Sequence, residues 1–129
     1  MSDLLKSMTA ASSGMAAQAA RLRLSTENIA NADTPGYRRK LVTFEVMEDA
    51  GDSRAVATGR TFLSRADLAQ IYDPSHPLAG ADGSYEGSNV NLMIELGDAR
   101  EAQRSYEANM RMFDQARQMA SSLLDLIRR

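Results

Sequence analysis

The single histidine of the chain, His76, sits between Ser75 and Pro77, with Asp73 and Asp82 close in sequence. An imidazole beside carboxylates is a minimum set for general acid–base work or for one side of a metal site. The spacing matches no ligand pattern. No second histidine shares a helix with it, cysteine is absent, and neither a phosphate-cradling glycine loop nor a nucleophile elbow occurs. Carboxylates number 17, and no two are paired by their spacing. His76 therefore reads as a solvated or packing residue of a loop. No catalytic residue, metal ligand or cofactor is expected, and the chain is not read as an enzyme.

The informative spacing lies elsewhere, in two ladders of seven-residue period confined to the two ends. The first runs Met1, Met8, Met15, Leu22, Ile29; the second runs Leu92, Ala99, Tyr106, Phe113, Ala120, Ile127. On an α-helix such residues form one slowly drifting stripe, widened by Leu4, Leu5, Ala11 and Ala19 on the first helix and by Leu96, Ala102, Met110, Ala116, Leu123 and Leu124 on the last. Each end wants an apolar partner, and the other end of the same chain supplies one as an antiparallel pair. Such ladders also fit the core of a plain helical bundle. Additional apolar or small residues off the stripes, including Ala10, Ala16, Ala17, Ala20, Met93, Met112 and Met119, would stay wet in a simple two-helix pair and point to a polymer.

The bulk composition agrees with helices that pack on neighbours. The chain has 129 residues, an aromatic share of 5% and no tryptophan, and the stretch between the helices is near the lower limit for an independent core. Net charge is -2. Residues 1–40 carry six basic and three acidic groups, residues 41–91 three and eight, and the last 38 residues six of each. No dense basic face with stacking side chains marks a nucleic-acid site. No apolar run reaches the length of a membrane span, and Lys6 is not followed by the pattern of a cleaved signal peptide.

The first helix is expected to start at Ser2 or Asp3, with a short polar cap, and to persist to Asn31. Asp33-Thr34-Pro35-Gly36 ends it, since proline disfavours helix at Thr34 and glycine permits the positive φ of a type II turn. Leu41 to Met47 alternates as a half-buried strand. Asp49 to Ser53 forms a polar loop, and Thr61–Ser64 and Ala69–Tyr72 are expected to pair as a hairpin through Arg65-Ala66-Asp67. Residues 73–87 read as extended or irregular. Asn89 or Asn91 caps the last helix, Glu95 and Asp98 favour its positive end, and Glu107 and Arg111 form an exposed i,i+4 pair. The fold class is mainly α with a small β or irregular insertion. Segments 1–37 and 89–129 form a coiled-coil-like layer, and 38–88 forms an outer, hairpin-like region.

The stretch Ser25-Thr26-Glu27-Asn28-Ile29-Ala30-Asn31-Ala32-Asp33-Thr34-Pro35-Gly36-Tyr37-Arg38 resembles the N-terminal signature of bacterial flagellar rod and hook proteins. Ser88-Asn89-Val90-Asn91, then Glu95 and Arg104-Ser105-Tyr106-Glu107-Ala108-Asn109, resembles the paired C-terminal signature. Tyr72-Asp73-Pro74-Ser75-His76-Pro77 followed by Ala79 and Gly80 is similar to a segment of proximal-rod members, although Gly83-Ser84-Tyr85-Glu86-Gly87 departs from that frame. The resemblance implies a structural subunit of the basal-body rod, in the periplasmic space. It implies export without a cleaved signal through the flagellar type III apparatus. The implied partners are further copies of the chain, other rod proteins, and adaptor and export-gate components, with no nucleic acid, small-molecule substrate or membrane span. The alternative is a soluble coiled-coil adaptor or chaperone of a secretion or flagellar system, which has no need of the Thr34–Tyr37 turn. The residues expected to pack are Met8, Met15, Leu22 and Ile29 against Tyr106, Phe113, Leu124 and Ile127, within or between subunits, with Leu92, Leu96, Met110 and Leu123 on the same stripes. Asn28, Asn31 and Asn109 are candidates for register-fixing hydrogen bonds, Asn31 equally for a helix C-cap. Thr34 to Tyr37 either directs the middle segment or is a plain exposed turn.

Overall fold

A computed structural model describes residues 2–48 and 54–129. Met1 of the first ladder and the polar loop at 49–53 lie outside the described residues. Helix α1 spans Ser2–Ala30 and helix α2 Leu92–Arg128. Between them come strands β1 (Lys40–Glu48), β2 (Arg54–Leu63), β3 (Gln70–Tyr72) and β4 (Ser84–Glu86). The architecture is the expected one: two long terminal helices joined by a small β insertion.

The helices run antiparallel. Asn28 reaches Glu95, Arg21 reaches Asp98 and Glu101, Gly14 faces Asn109, and Leu4 lies beside Met119 and Leu123. Among the described residues the buried apolar positions are nearly all small: Ala11, Ala17, Ala102 and Ala116, with Leu24 the one large side chain, and Ala17 thus lies in the seam and not off it as its spacing suggested. Small side chains let helix backbones approach closely, since interaxial distance follows the residues at the contact. Gly14 belongs to this seam, because a Cβ there would stand 2.9 Å from Asn109 Oδ1.

The seam bears only on the part of the expected packing that lies within one chain. Met8, Met15, Leu22, Ile29, Tyr106 and Phe113 are half-buried, but Leu92, Leu96, Met110, Leu123, Leu124 and Ile127 are exposed. Within the single chain Leu124 and Ile127 thus keep much of their side chains in solvent. A seven-residue frame admits two adjacent rows, and on α2 the buried members Glu95, Ala102 and Ala116, with half-buried Asn109 between them, occupy the row of small and polar residues.

The β insertion also differs from expectation. Thr61, Phe62 and Leu63 pair with Val42, Leu41 and Lys40, as the end of a long antiparallel β1–β2 hairpin. Gln70–Tyr72 pairs instead with Ser84–Glu86, inside the stretch expected to be irregular. Arg54–Arg60 escapes sequence reading because alanine and glycine carry little strand signal. The register shifts between Val42 and Phe44, opposite Gly59, where a Cβ would collide with Thr43 Oγ1. The hairpin lies along α1, and Val56 N donates to Ser13 Oγ at 3.0 Å. Past Val42, β1 is exposed on both faces rather than half-buried.

Candidate assembly site

The turn after α1 is built as its residues dictate. Tyr37 N donates to Thr34 O at 3.2 Å, and Gly36 adopts φ +74 between them. Its amide then faces Glu86 O and Gly87 O at 3.2 and 3.1 Å, so the turn docks on the end of β4. Asn31, just past α1, keeps its bonds local: its amide donates to Glu27 O at 2.9 Å and its carbonyl accepts from Thr34 Oγ1 at 3.1 Å. Ala30, Thr34, Pro35 and Gly36 are exposed at this surface.

Asn28 points the other way and is 1% exposed. Its Nδ2 donates to Lys40 O at 3.0 Å and Glu95 Oε1 at 3.3 Å, and its Oδ1 accepts from Lys40 N and from Tyr37 OH, both at 2.9 Å. One side chain thus saturates all its capacity across α1, the turn, β1 and α2. Glu95, likewise 1% exposed, accepts from Arg39 Nε, and Arg39 Nη2 reaches Asp98 Oδ2 at 2.6 Å. Glu95 Oε2 has no protein partner among the described residues. Arg21 continues the network to Asp98 and Glu101, each at 3.3 Å, and Lys40 pairs with Glu27. Burial, with Glu27 next in effect, raises the Tyr37 phenol above its ordinary value, and the hydrogen bond that Lys40 donates to Glu27 raises Lys40.

The second half of the junction comes from the approach to α2. Asn91 is the N-cap, its Oδ1 accepting from Met93 N at 3.0 Å and Ile94 N at 3.4 Å. Asn89 is not a cap: its Oδ1 accepts from Arg39 N at 2.6 Å, and its Nδ2 donates to Ser64 O and Ala66 O at 3.3 and 3.1 Å. Half-buried Val90 lies between them, and Ser88 Oγ donates to Ala32 O. Asn28, Tyr37 and Asn89 meet in this one junction, while Asn109 bonds only within α2, to Ser105 O at 2.9 Å. Glu107 and Ala108 face outward, and the expected Glu107–Arg111 pair is not made. The outer-face pair is Asp114–Arg117 at 3.6 Å.

Sequence spacing missed Arg39 and Lys40 altogether and read Glu95 and Asp98 only as helix-end charges. The available signal was the cationic run Arg38-Arg39-Lys40 directly after the Gly-Tyr turn, with an acid in the first turn of the last helix. His76 stacks on Tyr85, ring centroids 3.9 Å apart, and its Nδ1 accepts from Leu78 N at 3.1 Å. These contacts make it a packing residue of the β3–β4 loop. Asp73 in the same loop is held below the usual carboxylate range by hydrogen bonds from Ser75.

Outside the junction the helix pair presents large apolar side chains to solvent. Met93 is 79% exposed and Ile127 76%, with Leu92, Leu96, Met112, Met119 and Leu126 also exposed. An apolar groove between α1 and α2 is lined by Ala19, Leu22, Thr26, Ala30 and Tyr106. No described helix is long and apolar enough to cross a membrane. Exposed apolar surface on this scale marks contact with other macromolecules.

The comparisons with known proteins meet the same elements. Residues 8–38 match the family model described as flagella basal body rod protein, and residues 81–126 match that described as flagellar basal body rod FlgEFG protein C-terminal. The chain is 40% identical to the flagellar basal-body rod protein FlgC of Agrobacterium fabrum, over 99% of this chain and 98% of that one. It is 33% identical to FlgC of Salmonella typhimurium, over 95% and 97%, and 31% identical to FlgC of Aquifex aeolicus, over 88% and 89%. The two matched blocks hold most of α1 with its turn and β4 with nearly all of α2, and the chain belongs to the flagellar basal-body rod protein FlgC family.

Proposed function

We propose that this chain is a structural subunit of the proximal rod of the bacterial flagellar basal body, part of the shaft that transmits torque around an export channel. In this reading segments 1–37 and 89–129 form the inner helical layer and residues 38–88 an outer layer. Its neighbours are other copies of the chain, other rod proteins, and adaptor and export-gate components at the base. It reaches the periplasmic space through the flagellar type III apparatus. The role is architectural: Asn28, Tyr37, Asn89 and Glu95, which lie in the two signature stretches, build an internal junction.

The observation that carries this reading is the division of labour on the helices. The chain closes its own seam with Ala11, Ala17, Ala102 and Ala116 and leaves Leu92, Met93, Leu96, Leu123, Leu124 and Ile127 outward. A subunit using different faces toward successive neighbours makes heterologous contacts, which generate a helical tube when the rotation does not close. Isolating basal bodies from cells carrying a tagged copy tests it. The tag should co-purify with the rod, and Leu124→Asp with Ile127→Asp should abolish incorporation and motility while leaving the free subunit helical. A chain that stays wholly cytoplasmic on a single partner would mean the adaptor role instead.

A further inference from the structure

We propose that Glu95 is a positioning residue: through Arg39 and Asn28 it sets the direction in which the β1–β2 hairpin leaves the helix pair, and it does so in the free subunit, before any neighbour is in place. The proposal rests on the rod-subunit reading and adds to it the site that decides the subunit's shape.

The base of the hairpin is held from every side. Arg39 N is fixed by Asn89 Oδ1 at 2.6 Å, and both main-chain groups of Lys40 are held by the Asn28 amide at 2.9 and 3.0 Å. The Arg39 guanidinium forks onto α2, Nε to Glu95 and Nη2 to Asp98. The first residue of β1 and the residue before it are thereby tied to α1, to α2 and to the approach to α2. Farther out the hold on α1 is chiefly apolar, through half-buried Ala55, Val56 and Ala57 of β2. Residues 43–48 are exposed, and Val56 N to Ser13 Oγ is the one hydrogen bond from the hairpin beyond its base to α1 among the described residues.

Burying a carboxylate against a guanidinium is poor economy for stability, because desolvation offsets much of the Coulombic gain. What the guanidinium supplies is geometry, one planar group pinned by separate hydrogen bonds to two carboxylates of α2, Glu95 and Asp98. Geometry at the base matters because the hairpin is a lever. Strand β1 has 9 residues; at about 3.3 Å per residue it is roughly 30 Å long, so a tilt of about 10° at the base carries its tip about 5 Å, one full strand spacing. A neighbour that reads the outer layer would lose register on that scale.

The chain has no cysteine, so paired spin labels can be placed cleanly. Thr58→Cys with Arg104→Cys reports the hairpin against α2, and Ser12→Cys with Gln118→Cys reports the helix pair; all four sites are exposed. Pulsed dipolar spectroscopy on the dilute full chain should give a narrow hairpin distance. Glu95→Gln and Arg39→Lys should each widen that distribution at least about twofold, leaving the helix–helix distance and the helix content unchanged. Arg39→Lys keeps the charge and loses only the fork. An unwidened hairpin distance in both variants, equal widening of the helix pair, or a broad hairpin distance in the unmodified chain would each overturn the proposal. Normal rod incorporation of a Glu95→Gln subunit with a loose hairpin would overturn it too while leaving the rod reading intact; failure of the unmodified chain to enter a rod strikes that reading instead.

Discussion

Replacing Asn28 by alanine should cost far more than replacing Asn31, although the two lie three residues apart in one motif. Asn28 makes four hydrogen bonds within 3.3 Å, three to neutral groups of Tyr37 and Lys40 and one to the Glu95 carboxylate. At about 1 kcal/mol net for each neutral bond and about 1.5 for the charged one, the total is roughly 4–5 kcal/mol. Tyr37 and Lys40 are half-buried and regain some water when the amide is removed, so about 3 kcal/mol is expected to be lost. Asn31 bonds only within its own turn, to Glu27 O and Thr34 Oγ1, and its loss should stay below about 1 kcal/mol. Urea denaturation followed by far-ultraviolet circular dichroism measures both, provided the slope m is unchanged. Asn28→Asp keeps the two acceptor contacts but sets a second carboxylate beside Glu95, so near neutrality it should be no milder than alanine. Losses for Asn28→Ala and Asn31→Ala within about 0.5 kcal/mol of each other would refute the view that the junction, rather than the motif as a whole, organises the chain.

Two further outcomes follow from single contacts. The Tyr37 phenol is raised above 10.0 by burial and then by Glu27, and Lys40 above 10.5 by its hydrogen bond to Glu27. Both hold their protons more tightly folded than unfolded, so their contribution is present in full below the ordinary values and is lost as pH rises through the raised ones; tyrosinate absorbance should show one late-titrating phenol that Tyr37→Phe removes, and a single titrating class would contradict this. Gly97 has nothing within 4 Å of a new Cβ, so Gly97→Ala should stabilise α2 by about 0.5–1 kcal/mol, while Gly14→Ala must displace the Asn109 side chain from 2.9 Å and should show no such gain; equal rises in Tm would argue against a close seam.

The helices and their stop were legible because their signals are local. The seven-residue ladders, the Asp33–Gly36 stop and an asparagine cap each need only a few neighbouring residues, and α1, the positive φ of Gly36 and the Asn91 cap appear where those residues put them. Pairing was not legible. Thr61–Leu63 carries strand character but nothing in it says whether its partner is Leu41 or Ile71, and the answer rests on a bulge at Gly59 that only the assembled hairpin explains. Glu95 is the sharper case. Its local setting is the first turn of a helix, where any carboxylate is favourable, and its partners Asn28 and Arg39 stand 67 and 56 residues away.

The same reasoning explains why the seam took the smaller row. Had the row of Leu96, Gln103, Met110, Arg117 and Leu124 faced α1, its leucines and methionine would have gained roughly 25 cal/mol for each Å² removed from water, with Gln103 and Arg117 buried beside them. The row facing α1 instead holds Glu95, Ala102, Asn109 and Ala116, and Glu95 can meet Arg39 and Asn28 only in that rotation of α2. The junction and the seam therefore select the same helix rotation, and that rotation turns the leucines and methionines of α2 outward. An apolar stripe left wet in this way is a cost to the isolated chain, and under the rod-subunit reading it is recovered when a neighbouring subunit covers it. Polar groups thus fix how the two helices face one another, and the rod-subunit reading gives the outward leucines and methionines of α2 their neighbours.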